Sequence, residues 1–151
     1  SPLHIAVLDE ASGAMVQTII NQGARVSAVD ANGYTPLRLA VNRNAWDQAK
    51  ILADAGSDVF ASAGDGKTPA GIALDRGSAA VRALFSGGAI GFKDSAGNTI
   101  LHYAAQSAST EIVALLLELG ANKAAKNIAA ESPGDIARRW NKTDIAALLN
   151  G

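Results

Sequence analysis

The chain holds two imidazoles, His4 and His102, and no cysteine. Thiolate metal sites and disulfides are therefore excluded. A metal centre or proton relay would have to bring both histidines together with carboxylates. His4 lies in Ser1-Pro2-Leu3-His4-Ile5-Ala6 and His102 in Thr99-Ile100-Leu101-His102-Tyr103-Ala104, the same place in the same pattern. Another stretch, Gly64-Asp65-Gly66-Lys67-Thr68, has the tail of a phosphate-cradling loop. It lacks the upstream glycine and the preceding buried strand that such a loop requires. The carboxylate pair Asp9/Glu10 falls in a polar break, where solvation is the default role. No nucleophile is matched with a base. These residues predict no enzyme, no cofactor and no metal site.

What positions them is a unit that recurs. Asp30-Ala31-Asn32-Gly33-Tyr34-Thr35-Pro36-Leu37-Arg38-Leu39-Ala40 shows it in full. Asn and Gly tolerate the left-handed backbone of a tight turn. Thr35 suits a helix N-cap, its hydroxyl accepting from a free N–H of the first turn. Pro36 suits the first helical position, having no N–H to leave unpaired. Leu37 and Ala40, three apart, share a helix face. Equivalent starts occur at Ser1, Thr35, Thr68, Thr99 and Ser132, at intervals of 34, 33, 31 and 33 residues. A second apolar stripe follows each: Val16/Ile19/Ile20, Ala49/Leu52/Ala53, Val81/Leu84/Phe85, Val113/Leu116/Leu117 and Ala146/Leu149. Gly23, Gly56, Gly88 and Gly120 then read as left-handed helix caps. The third unit is short, with one deletion near Gly77-Ser78 and another between Gly88 and Gly97. Ala130 stands where the fourth turn should have glycine, which predicts a distorted turn or one of another type. Helices stacked about 10 Å apart would hold His4 and His102, three units from each other, roughly 30 Å apart. That is too far for a shared ion.

The unit Asp-x-x-Gly-x-Thr-Pro-Leu-His-x-Ala, with a second helix ending in Leu-Leu-x-x-Gly-Ala, resembles the ankyrin repeat. The resemblance covers essentially the whole chain and is best at Ser1 to Ala6, Gly23 to Ala40 and Asp94 to Ala121. It implies an all-α repeat solenoid, an ankyrin-like stack of antiparallel helix pairs with β-hairpin-like fingers. One helix pair cannot bury its apolar face alone, so neighbours must stack. The small residues Ala6, Ala40, Ala73, Ala104 and Ala137 allow close approach and are expected to be buried. Residues 1–151 are expected to form a single array. Leu3, Ile5 and Val7 read as an internal repeat, so a fragment or processed form lacking N-terminal residues is expected. Lys142, Asp144 and Asn150 suit a polar C-terminal cap. The resemblance also implies structural hydrogen bonds for His4 and His102. Arg38, Gly71 and Asp135 occupy the same position elsewhere and are expected to weaken that network.

Net charge is −1, and hydrophobic residues make up 48% but aromatics only 5%. That balance suits thin, closely packed helices and gives no reason to expect nucleic acid. No apolar run reaches the ~20 residues of a membrane span. No secretory leader is visible, so the compartment stays open, with the expectation leaning to the cytoplasm. The function expected is a protein–protein interaction module, monomeric, with an unidentified protein partner. The resemblance implies a concave surface built from finger tips and first helices. The matching positions beside the turns are Asn32, Tyr34, Asp65, Lys67 and Asn98; late in the first helices they are Arg43, Arg76, Gln106, Arg139 and Trp140. Tyr34, Arg43, Arg76, Arg139 and Trp140 lead, because aromatics and arginine dominate binding energy at interfaces. Structural alternatives stay open: Trp140 as a lid on the array's end, Tyr34 as cover for the adjacent finger. Phe60 and Phe92 read as inter-finger packing and Trp46 as core. The alternative function is a regulatory or targeting repeat region appended to a larger enzyme or membrane protein.

Overall fold

The computed structural model describes residues 1–150, which fold into ten short α-helices with no strand among them. They run as pairs: α1 (Pro2–Leu8) with α2 (Gly13–Asn21), α3 (Pro36–Asn42) with α4 (Trp46–Asp54), α5 (Pro69–Arg76) with α6 (Ser78–Phe85), α7 (Ile100–Ser107) with α8 (Thr110–Glu118), and α9 (Pro133–Arg139) with α10 (Thr143–Asn150). Each first helix packs on the next first helix, and each second helix on the next second helix. The stack is an all-α repeat solenoid.

The helix starts follow from local chemistry. Thr35, Thr68 and Ser132 accept side-chain bonds from the N–H groups of Arg38, Gly71 and Asp135, at 3.2, 3.0 and 3.2 Å. Three second helices end alike. The N–H of Gly23, Gly56 and Gly120 donates to Ile20, Ala53 and Leu117, and the next N–H reaches back to Ile19, Leu52 and Leu116. All three glycines have positive φ. This paired termination needs a left-handed residue, which glycine adopts without a Cβ penalty.

Gly88 is not such a cap, which corrects the sequence reading. Helix α6 ends at Phe85, and residues Gly88–Gly91 form a 3-10 turn that buries Ala89. The position that matches Gly23, Gly56 and Gly120, two residues past the helix end, is Gly87, and its φ is −119°, outside the left-handed region. A Cβ there would sit 2.0 Å from Asp54 Oδ1, so the backbone passes directly against α4. The joint inside the third pair is a single residue, Gly77, at φ 103° and ψ −165°. Only glycine occupies that region readily.

All five alanines of the starting motifs are buried, four of them fully. Leu3, Val7, Leu37, Leu52, Leu84, Phe85, Leu101 and Leu116 fill the continuous core around them. Ile5 differs. It is 60% exposed, whereas Ile72 and Ile136, its counterparts in later pairs, are buried against the preceding pair. Trp46, Phe60 and Phe92 are partly buried on the core, and the Phe60 ring lies 5.6 Å from that of Tyr103.

The fingers are turns, not strand ladders. Each is closed by one backbone pair: Gly33 to Asp30 and Asp30 to Tyr34, then Gly66 to Ala63 and Ala63 to Lys67, then Gly97 to Asp94 and Asp94 to Asn98. The fourth keeps the same pattern, Ala130 to Asn127 and Asn127 to Glu131. Ala130 therefore does not change the turn; it is held at φ 60° inside it. Asp30, Asp94 and Asn127 fix three of the turns by accepting two backbone N–H bonds each on one oxygen.

Candidate partner-binding surface

The first helices are joined by a ladder of polar bridges, each reaching the carbonyl just before the next helix cap. His4 Nε2 donates to Tyr34 O at 2.7 Å, and His102 Nε2 donates to Glu131 O at 3.1 Å. Arg38 was expected to weaken this ladder. It strengthens it. The side chain is 3% exposed, its Nη1 donates to Lys67 O at 2.6 Å, and both terminal nitrogens bond the Asp65 carboxylate. Its guanidinium also sits 4.9 Å from the centre of the Tyr34 ring. A planar fork can satisfy a carbonyl and a carboxylate together, which an imidazole cannot. Asp135 closes a capping box with Ser132 instead of bridging. Gly71 offers no side chain, and there the ladder has a gap.

That gap opens a depression of about 490 Å³, lined by Gly71, Lys67, Asp75, Asp94, Tyr103 and Phe60 among others. A second depression of about 360 Å³ adjoins it and shares Lys67, Ile72 and Asp75. Tyr34, Arg38, Asn42, Asp65 and Arg76 complete its walls. Four of the ten sequence-derived candidates, Tyr34, Asp65, Lys67 and Arg76, thus surround one groove along the second and third first helices.

The others lie apart from it. Asn32 is exposed at its finger, its N–H bonded to Asp30. Arg43 faces the break after the first helix, pairing with Glu10 at 2.9 Å beside a separate depression of about 760 Å³. Arg76, one of the four at the groove, is pinned as well as exposed, its Nη1 donating to Val41 O at 2.6 Å. Asn98 is tied to the next finger by Asn127 Nδ2 at 2.9 Å. Gln106 is half-buried late in α7. Arg139 pairs with Glu131 at 2.6 Å at the far end of the stack, next to Trp140, which is 50% exposed. Asp75, beside Arg76 late in its first helix, is also among the positions the resemblance implies; the residues that the sequence reading passed over are Asp94 and Tyr103. The available signal was the departure at Gly71 from the His pattern, which marks where the groove must deepen.

Electrostatics holds the groove in shape. The Arg38 guanidinium, then the Lys67 N–H, keep the Asp65 carboxyl below the usual carboxylate range. Burial works against the Asp94 charge, but bonds from the Tyr103 hydroxyl and from the Asn98 and Ala96 N–H groups outweigh it and lower its pKa. The Tyr103 phenol is raised by its burial and by that same carboxylate. Burial lowers His102, and its Nδ1 accepts the Thr99 N–H at 3.0 Å, which requires the neutral ring. No group of three or more acidic or histidine side chains among the described residues is placed to hold a metal ion.

Residues 47–127 match a family profile described as "Ankyrin repeats (3 copies)". The chain is also similar to the B-cell lymphoma 3 protein homolog of Mus musculus, at 32% identity over 159 aligned residues covering 99% of this chain and 36% of that protein. The chain therefore spans about a third of the length of the curated relative it matches.

Proposed function

The chain belongs to the ankyrin-repeat family, and from that premise we propose that it is a non-catalytic array binding a protein partner along its finger turns and first helices. Ankyrin repeats are generally protein–protein interaction modules. The observation that supports this surface most is the pair of adjoining depressions around Lys67 and Asp75. Their walls come from three successive repeats, of which the second and third are cross-tied by Arg38, Asp65 and Arg76. A surface already ordered in this way loses little conformational entropy when a partner docks. No helix among the described residues is long and apolar enough to cross a membrane.

The test is site-specific photocrosslinking in extract of the native source. A benzophenone side chain at Asn32, Lys67 or Gln106 should give a discrete protein adduct. The same group at Gln17, Lys50 or Glu118, on the second helices, should not. Adducts confined to the second helices would reverse the assignment. Replacing Arg139 and Trp140 together by alanine asks whether contact extends to the last repeat; unchanged partner capture would confine it to the groove. Light scattering on the purified chain should give the monomer mass. The second reading is a regulatory or targeting repeat region appended to a larger enzyme or membrane protein. Reading the full-length gene decides between the two.

A further inference from the structure

We propose that the notch at Gly71 receives an arginine side chain projected by the protein partner. The proposal rests on the partner surface assigned above. It begins from a difference between equivalent positions. Tyr34 O, Lys67 O and Glu131 O each accept two hydrogen bonds, one from their own finger and one from the bridging His4, Arg38 or His102. Asn98 O holds the same register and accepts the Asp94 N–H at 2.9 Å. The residue in register to supply its second bond is Gly71, which has no side chain.

The chain itself shows what fits this register. One repeat earlier Arg38 fills it, touching a carbonyl, a carboxylate and an aromatic face. Two of these three kinds of group line the depression at Gly71, and the third, the carbonyl, is in register with it. The carbonyl is Asn98 O. The carboxylate is Asp75, which is exposed and makes no hydrogen bond or ion pair among the described residues. The aromatic wall is Tyr103 with Phe60 beside it. Asp94 is committed to Tyr103 and two backbone N–H groups, so Asp75 is the ion-pairing partner. Lys67 brings one positive charge to the rim against these two carboxylates. An acidic side chain would meet the carbonyl and Asp75 unfavourably. An ammonium is a point charge, whereas guanidinium presents a planar fork that bonds two acceptors at once and stacks on a ring.

The experiment titrates the isotopically labelled 151-residue chain with acetyl-arginine-methylamide and follows backbone amide shifts. Acetyl-citrulline-methylamide, the neutral isostere, is the control. Saturable shifts centred on Gly71, Asp75 and Ser95 are expected with arginine, and binding about tenfold weaker with citrulline because the charged donor is lost. Asp75→Asn should bring arginine down to the citrulline level. Gly71→His, which fills the register from within, should remove the shifts while leaving the spectrum well dispersed. Equal response to the two compounds, or shifts that survive Gly71→His, overturns the notch. The probe needs no partner. A crosslinked partner at Lys67 with no arginine response at Gly71 therefore overturns the notch alone, and a probe that binds while no partner crosslinks overturns the wider surface alone.

Discussion

His102 does its work only when uncharged. Its Nδ1 accepts a backbone N–H and its Nε2–H bridges to the next repeat, so a second ring proton would face a donor. Burial accordingly lowers its pKa from the ordinary value of about 6.5. Below that value the unfolded chain binds a proton that the folded chain resists. The stabilisation is complete above about pH 6.5 and declines as pH falls beneath it. Urea unfolding at pH 7.5 and 5.5 should show the loss, and His102→Gln should flatten that slope. The depressed Asp94 adds a separate loss only below about pH 4, where carboxylates protonate. Ser57 presents the opposite case, a fully buried hydroxyl with no hydrogen-bond partner. Ser57→Ala should raise stability by about 1 kcal/mol, read as a higher urea midpoint. Alanine already fills the matching positions Ala24 and Ala121. At this scale the sequence exposed the structural role of the histidines, because the pattern repeats. It hid Arg38, whose acceptors Asp65 and Lys67 become neighbours only once the stacking register is known.

Helices and turns were legible where their causes are local. Thr35, Thr68 and Ser132 cap helices by chemistry contained in four residues. The fingers were legible as turns but not in their extent, since one closing bond pair per finger leaves no ladder. Gly88 failed because α6 ends one residue sooner than the spacing implied, which puts Gly87 in the cap position, against Asp54 of another repeat and outside the left-handed region. Ala130 failed although its cause is local. The Asn127 carboxamide accepts two backbone N–H groups and holds the turn, forcing alanine to positive φ. A non-glycine residue there costs roughly 1 kcal/mol. Ala130→Gly should return about that amount, measured by denaturant unfolding, with the fourth finger unchanged in its amide spectrum.

Across the whole stack, cohesion depends on each repeat gripping the next through apolar contact and through one polar bridge. The bridge is present from the first pair to the second, from the second to the third and from the fourth to the fifth. Between the third and fourth it is missing, so the first helices of that junction are held by packing, with an exposed ion pair, Arg82 with Glu118 at 3.8 Å, joining the second helices. Gly71→His should join the two halves and raise Tm by roughly 2–6 °C, the effect of one hydrogen bond plus the relief of a helical glycine. Gly71→Ala supplies the helix term without the bridge. The excess of His over Ala, read by scanning calorimetry, reports the bridge itself. A Cβ on Gly71 would lie 3.2 Å from Thr68 Oγ1, so that hydroxyl must shift by a few tenths of an ångström; at the equivalent place the Thr99 hydroxyl accommodates His102 by bonding its Nδ1. The array was legible because repetition is visible in one dimension. The groove was not, because it exists only where three repeats meet. The single-residue corner at Gly77 carries a practical lesson for anyone engineering this scaffold. A reporter peptide spliced there would pry two helices apart, whereas the four-residue corner between Leu8 and Gly13 leaves Asp9 and Glu10 exposed as a place to carry one.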